Sequence, residues 1–181
     1  MMGTLATVPA TTRKDLLAAP VYDALAAWSG RTPVDQVLVA PIDAELADTA
    51  AFCAAYEVGL DVSANCVVVA GRRDGEQRVA ACVVLATTRA DVNGAVRRLL
   101  DVRKASFMPM DEAVAESGME YGGITPIGLP ASWLILVDAA VVAAGYVVIG
   151  SGVRHSKIAI PGPALAELPN AQVIEGLARL V

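Results

Sequence analysis

Residues 66–85 read CVVVAGRRDGEQRVAACVVL. Two apolar runs rich in valine, Cys66–Ala70 and Arg78–Leu85, flank a polar tip centred on Asp74-Gly75. An Asp-Gly pair readily takes the left-handed backbone of a tight hairpin turn, and valine suits a pleated, half-buried surface. The pattern predicts an antiparallel hairpin in the middle of the chain. The rest of the fold has to cover its two faces.

The flanking segments supply that cover. Arg13–Trp28 carries apolar residues at helical spacing, with Pro20 in the first turn of a second short helix. Val37–Ala40 is a short apolar run, and Asp43 can cap a helix over Ala44–Glu57 that Gly59 ends. Asp91–Leu100 and Asp111–Ser117 also read as helices, the second stopped by Gly118. Strands are expected at Trp133–Val137, Tyr146–Ile149 and Lys157–Ile160, and short helical pieces at Pro163–Leu168 and Val173–Leu180. Helices and strands interleave without a regular βαβ beat. This predicts an α+β fold: a single compact domain with a mixed, largely antiparallel, barrel-like sheet covered by helices. Residues 1–12 are expected to be a loose arm before a domain spanning 13–181.

Composition excludes several classes. With 55% hydrophobic residues the chain is not disordered, and its net charge of -5 argues against a dedicated nucleic-acid coat. Cys53, Cys66 and Cys82 include no CxxC pair, and there is one histidine, so neither a disulfide framework nor a zinc site is expected. Free thiols fit a reducing cytoplasm, and the N-terminus lacks the pattern of a signal peptide. The apolar stretch Trp133–Gly150 is interrupted by Asp138. A charge at the centre of a membrane span costs about 2.5–3.5 kcal/mol, so two buried strands explain the stretch better than a span.

The segment Tyr121–Pro130, YGGITPIGLP, carries three glycines and two prolines among apolar residues. A flexible linker would be polar, so the loop reads as a rigid wall brought close to something small. A tight connection burying two isoleucines reads equally well on the local sequence. The order of elements around it is a strand ending at Asp138 and then the small-residue turn Gly150-Ser151-Gly152. Together with the G-x-x-x-P motif Gly122–Pro126 and the following Gly128, this order resembles YbaK-like proteins and the related editing domain of bacterial prolyl-tRNA synthetases. The resemblance covers roughly Asp35 to Ala178. It implies a hydrolase that deacylates mischarged aminoacyl-tRNA. The expected partners are an aminoacyl-tRNA acceptor end and a synthetase, with no membrane, no DNA, no metal and no cofactor.

Carried onto these residues, the resemblance makes Gly122 a catalytic position, its backbone amide facing the ester carbonyl oxygen. Gly123, Ile124, Thr125, Pro126, Gly128, Asp138, Gly150, Ser151 and Gly152 are expected around the substrate, with Ile124 and Ile127 as apolar wall. The chain departs from the family at one position. Where the family carries a lysine on the strand opening the hairpin, this sequence has Asn65. Asparagine keeps a donor but loses the charge that could hold a phosphate or a carbonyl oxygen. Weakened catalysis, a different substrate, or binding without hydrolysis all follow from that exchange, as does a merely solvent-facing Asn65. His155 is a candidate auxiliary, and Asp138 reads either as scaffold or as a ligand contact. Ser151, His155 and Asp138 can be written as a triad, although their spacing does not support one. The basic pairs Arg72-Arg73, Arg97-Arg98, Arg103-Lys104 and Arg154–Lys157 could form a rim for an acceptor stem.

Overall fold

The computed structural model describes residues 2–180. From the N-terminus, β1 (Val8–Pro9), α1 (Ala19–Ala26), β2 (Leu38–Pro41) and α2 (Thr49–Tyr56) precede the hairpin of β3 (Ala64–Arg73) and β4 (Glu76–Leu85). Next come β5 (Thr88–Ala90), a π-turn over Val92–Val96 running into α3 (Arg97–Leu99), β6 (Ala105–Phe107) and α4 (Met110–Ser117). The glycine-rich loop leads to β7 (Leu134–Asp138), α5 (Ala139–Ala143) and β8 (Tyr146–Gly150). β9 (Ser156–Pro161), α6 (Gly162–Leu165), β10 (Ala171–Ile174) and β11 (Ala178–Leu180) complete the described chain.

The hairpin is continuous from Ala64–Leu85 to Arg73–Glu76, and Asp74 (φ 52°) and Gly75 (φ 84°) both occupy the left-handed region its turn requires. It anchors a five-stranded sheet of order β10-β7-β4-β3-β6, parallel on the β4–β7–β10 side and antiparallel on the other. A second, antiparallel sheet has the order β1-β2-β9-β8. A parallel bridge between Ser63 and Val148 joins the two at one point. Val39, Ile149 and Ile158 of one sheet share a buried cluster with Val83, Ile135 and Val137 of the other. Each such side chain contributes about 1.5–3 kcal/mol on burial. β5 and β11 form a separate two-stranded sheet, and the α+β architecture with a mixed arrangement of strands is as expected.

Several expectations are corrected. Val173–Leu180 is not helical: β10 pairs with β7 and β11 with β5, so tertiary pairing overrides the helix-forming residues there. Arg13–Trp28 holds a 3-10 turn at Lys14–Leu16 and then the short α1, with Pro20 in its first turn as expected. The segment after Asp43 is likewise a 3-10 turn at Ala44–Leu46 and then α2, which ends at left-handed Glu57 and not at Gly59. Residues 8–12 are no loose arm, since β1 pairs with β2 and Ala10 is fully buried. Trp133–Gly150 does form buried strands on either side of α5, and no helix among the described residues is long and apolar enough to cross a membrane.

Candidate active site

A cavity of about 510 Å³ opens between the start of β3, the turn before α2 and the glycine-rich loop. That volume lies in the range of small-molecule sites, about 300–1,000 Å³. Asn65 lines one wall, where the Thr49 hydroxyl donates to its Oδ1 at 2.7 Å. This leaves the Asn65 amide NH₂ without a protein partner among the described residues. Asp48, the N-cap of α2, lines the same wall without capping the helix through its side chain. Gly122, Ile124, Tyr121, Phe107 and Met110 face it.

The loop is held by backbone pairing onto the turn after β8. Glu120 N–H donates to Gly152 O at 2.8 Å, and Gly152 N–H donates to Gly123 O at 2.8 Å. Glycine is needed at these positions because the two backbones nearly touch. A Cβ on Gly123 would lie 2.7 Å from Val153 O, and one on Gly150 would lie 2.5 Å from Gly123 O. Arg154 closes the zipper. Its backbone N–H donates to Glu120 Oε2 at 2.6 Å, Nη1 to Tyr121 O at 3.3 Å and Nη2 to Ala44 O at 3.1 Å. The Gly123 amide is consumed within the loop, donating to Glu120 O at 2.9 Å. Gly122, at φ 81°, and Ile124 have no amide partner among the described residues, and both line the cavity.

The structure sorts the expected site residues into two groups. Asn65, Gly122, Ile124 and Gly150 come together on the cavity. The others stand behind it. Ile127 is fully buried in the main core, not in the wall, and Thr125 and Pro126 are buried beside it. Gly128 (φ 81°) packs on the Pro20 carbonyl, and Gly152 on Ala18 and Val21. Asp138 is scaffold: its Oδ1 accepts from Ala140 N–H at 2.9 Å and its Oδ2 from Ala178 N–H at 2.9 Å. Ser151 is fully buried and bonds Ser156 Oγ at 2.7 Å. His155 is exposed outside the cavity, with Nε2 3.2 Å from Asp15 O. Ser151, His155 and Asp138 share no hydrogen bond, so no triad exists. Of the basic pairs, Arg73 is bound by Asp101 and Arg154 by the loops. Arg72, Arg98, Arg103 and Lys104 are exposed.

Lys157 was not singled out by its sequence. It lines the cavity from β9, with Nζ donating to Ala47 O at 2.9 Å and lying 5.2 Å from the centre of the Phe52 ring. Burial pulls its pKa below the ordinary lysine value, with Arg154 pushing the same way and Asp48 partly offsetting it. Cys66 also lines the cavity, but burial pushes the pKa of its thiol far upward, so it is no thiolate nucleophile. Cys82 is raised to about 12 for the same reason. Among the described residues no group of three histidine, cysteine or acidic side chains could hold a metal ion.

The comparisons agree with this architecture. No curated protein matches the chain in sequence. A crystal structure of hypothetical protein APE2540 superposes with a TM-score of 0.72 at 19% identity, covering 88% of this chain and 99% of that one. A proposed trans-editing enzyme for prolyl tRNA synthetase also gives a TM-score of 0.72 at 19% identity, over 87% of this chain and 94% of its own. At such identities the likeness is one of fold. The family model for the aminoacyl-tRNA editing domain matches residues 43–168, which include both walls of the cavity. The resemblance carried by the Gly122–Pro126 motif is thus borne out, and the chain belongs to the aminoacyl-tRNA editing domain family.

Proposed function

We propose that the protein hydrolyses the ester joining a wrongly attached amino acid to the terminal ribose of a transfer RNA, acting in the cytoplasm. One observation carries the reading: Asn65 and Gly122, whose side-chain NH₂ and backbone N–H respectively have no protein partner among the described residues, line the same small-molecule cavity. Water attacks the ester carbonyl carbon, with the neighbouring ribose hydroxyl helping to position it. The carbonyl oxygen gains negative charge and is held by the Gly122 amide and the Asn65 NH₂. The bond to the ribose oxygen then breaks, and that oxygen takes up a proton from the water. Free amino acid and an unesterified ribose are released. Ile124 limits the side chain that fits beside the reacting carbon. His155 has no part in the step, because it lies outside the cavity.

Binding without hydrolysis is the second reading, favoured by the absence of a charge at Asn65. A panel of mischarged transfer RNAs separates the two. Under the hydrolytic reading the wild type releases one amino acid class, and Asn65→Ala slows the release about 10²–10³-fold, the usual effect of losing one oxyanion donor. Gly122→Ala slows it comparably, since a Cβ at φ 81° strains the loop and meets Arg154. RNA binding with no release from any charged RNA selects the binding reading.

A further inference from the structure

We infer that Lys157 is the cationic group of this cavity, binding an anionic oxygen of the aminoacylated RNA end from a strand remote from β3. The inference deepens the function proposed above and rests on it.

The argument begins with the sheet. Lys157 lies opposite Ala40 on β2 and Gly150 on β8, two of the smallest residues. Side chains paired across neighbouring strands share a face. The lysine stem therefore stands between partners that do not cover it, and Gly150 itself lines the cavity. An ammonium has three donors. Ala47 O takes one, and the Phe52 ring lies within cation–π range of the charge. No carboxylate among the described residues forms an ion pair with it. A half-buried ammonium without an ion-pair partner is costly to keep unless it meets an anion. The lowered pKa of Lys157 fits that desolvation. The Ala47–Thr49 turn ties the two polar groups into one wall, with Ala47 O on Lys157 and Thr49 Oγ on Asn65. Charge absent at Asn65 thus enters the same cavity along β9.

An aminoacylated end offers the ammonium two anionic oxygens, the terminal phosphate and the ester carbonyl as it is attacked. The test uses charged transfer RNA and an aminoacyl-adenosine ester lacking a phosphate. Lys157→Met lowers kcat/KM on the RNA about 10²–10³-fold while its melting temperature holds or rises, because a desolvated charge has been removed. An equal loss on the adenosine ester, expressed in kcat, assigns the carbonyl. A loss confined to the RNA and expressed in KM assigns the phosphate. Both outcomes support the inference, as does partial recovery in Asn65→Lys/Lys157→Gln, where the charge returns from the opposite strand. Asn65→Lys alone brings no gain. Wild-type kcat/KM in both Lys157→Met and Lys157→Gln overturns it. Should the wild type cleave no charged RNA, hydrolysis falls separately. Binding of an uncleavable aminoacylamido-adenosine 5′-monophosphate then decides: weakening about tenfold or more in Lys157→Met supports the assignment, and unchanged binding overturns it.

Discussion

Lys157 makes opposite demands on activity and stability, and pH exposes them. The groups facing its ammonium are Asp48 before α2, Cys53 on α2 and Arg154 in the turn before β9, with burial the dominant influence. Its folded-state pKa is lowered, so between that value and the unfolded value of about 10.4 the unfolded chain binds more protons. Stability contributed by this group accordingly increases with pH across the window. With Lys157 in the role inferred above, catalysis needs the ammonium, so editing is expected to decline over the same window once spontaneous ester hydrolysis is subtracted. Rate and melting temperature measured on one pH series are expected to diverge, and Lys157→Met to lose both trends. None of this was legible in the sequence. Lys157 sits in a run of basic residues resembling a solvated surface, and its register with Gly150 is a tertiary fact. The glycines of the loop were legible as special, but their main purpose was misread. Gly123 and Gly150 serve backbone-to-backbone contact, and Gly122 alone of the pair Gly122-Gly123 keeps a free amide.

At the scale of elements, Asp138 fastens three of them together. It ends β7, caps α5 through Ala140 and receives the first amide of β11 through Ala178. Asp138→Ala removes a cap and leaves two part-buried hydrogen-bonded amides without their acceptor, costing about 1–3 kcal/mol in urea unfolding. Editing per folded molecule should stay near wild type, because the carboxylate is remote from the cavity wall. A selective loss of kcat at full stability would return Asp138 to the substrate. The hairpin was readable because its signal is local: two valine-rich runs and one turn that only a few residue pairs allow. The C-terminal segment was not readable, since VIEGLARL holds helix formers while its partners, β7 and β5, lie far away in sequence. The π-turn at Val92–Val96 was also hidden. Its cause is a side chain, the Asp91 carboxylate accepting from Ala95 N–H at 3.0 Å.

For the whole molecule, the proposed function requires an acidic chain to attract RNA locally. Arg72, Arg98, Arg103 and Lys104 are exposed, and any phosphate contacts they make release counterions. With about three such contacts, transfer RNA affinity should fall roughly tenfold or more between 50 and 200 mM salt. Affinity that stays flat across the titration removes these residues from the interface. The α+β architecture and the family were legible because motif order survives where pairwise identity is low. The division into separate sheets was not, since each sheet joins strands from distant parts of the chain. That arrangement bears on synthesis. Beyond its short pairing with β1, β2 meets the rest of its sheet only through β9, and the cavity draws one wall from residues 47–49 and its lysine from position 157. A ribosome that has released everything through β8 still holds a precursor whose four-stranded sheet lacks β9 and whose pocket lacks Lys157. Under the proposed function, newly made protein can therefore cleave nothing until β9 emerges, which keeps an esterase idle beside the charged RNAs feeding its own translation.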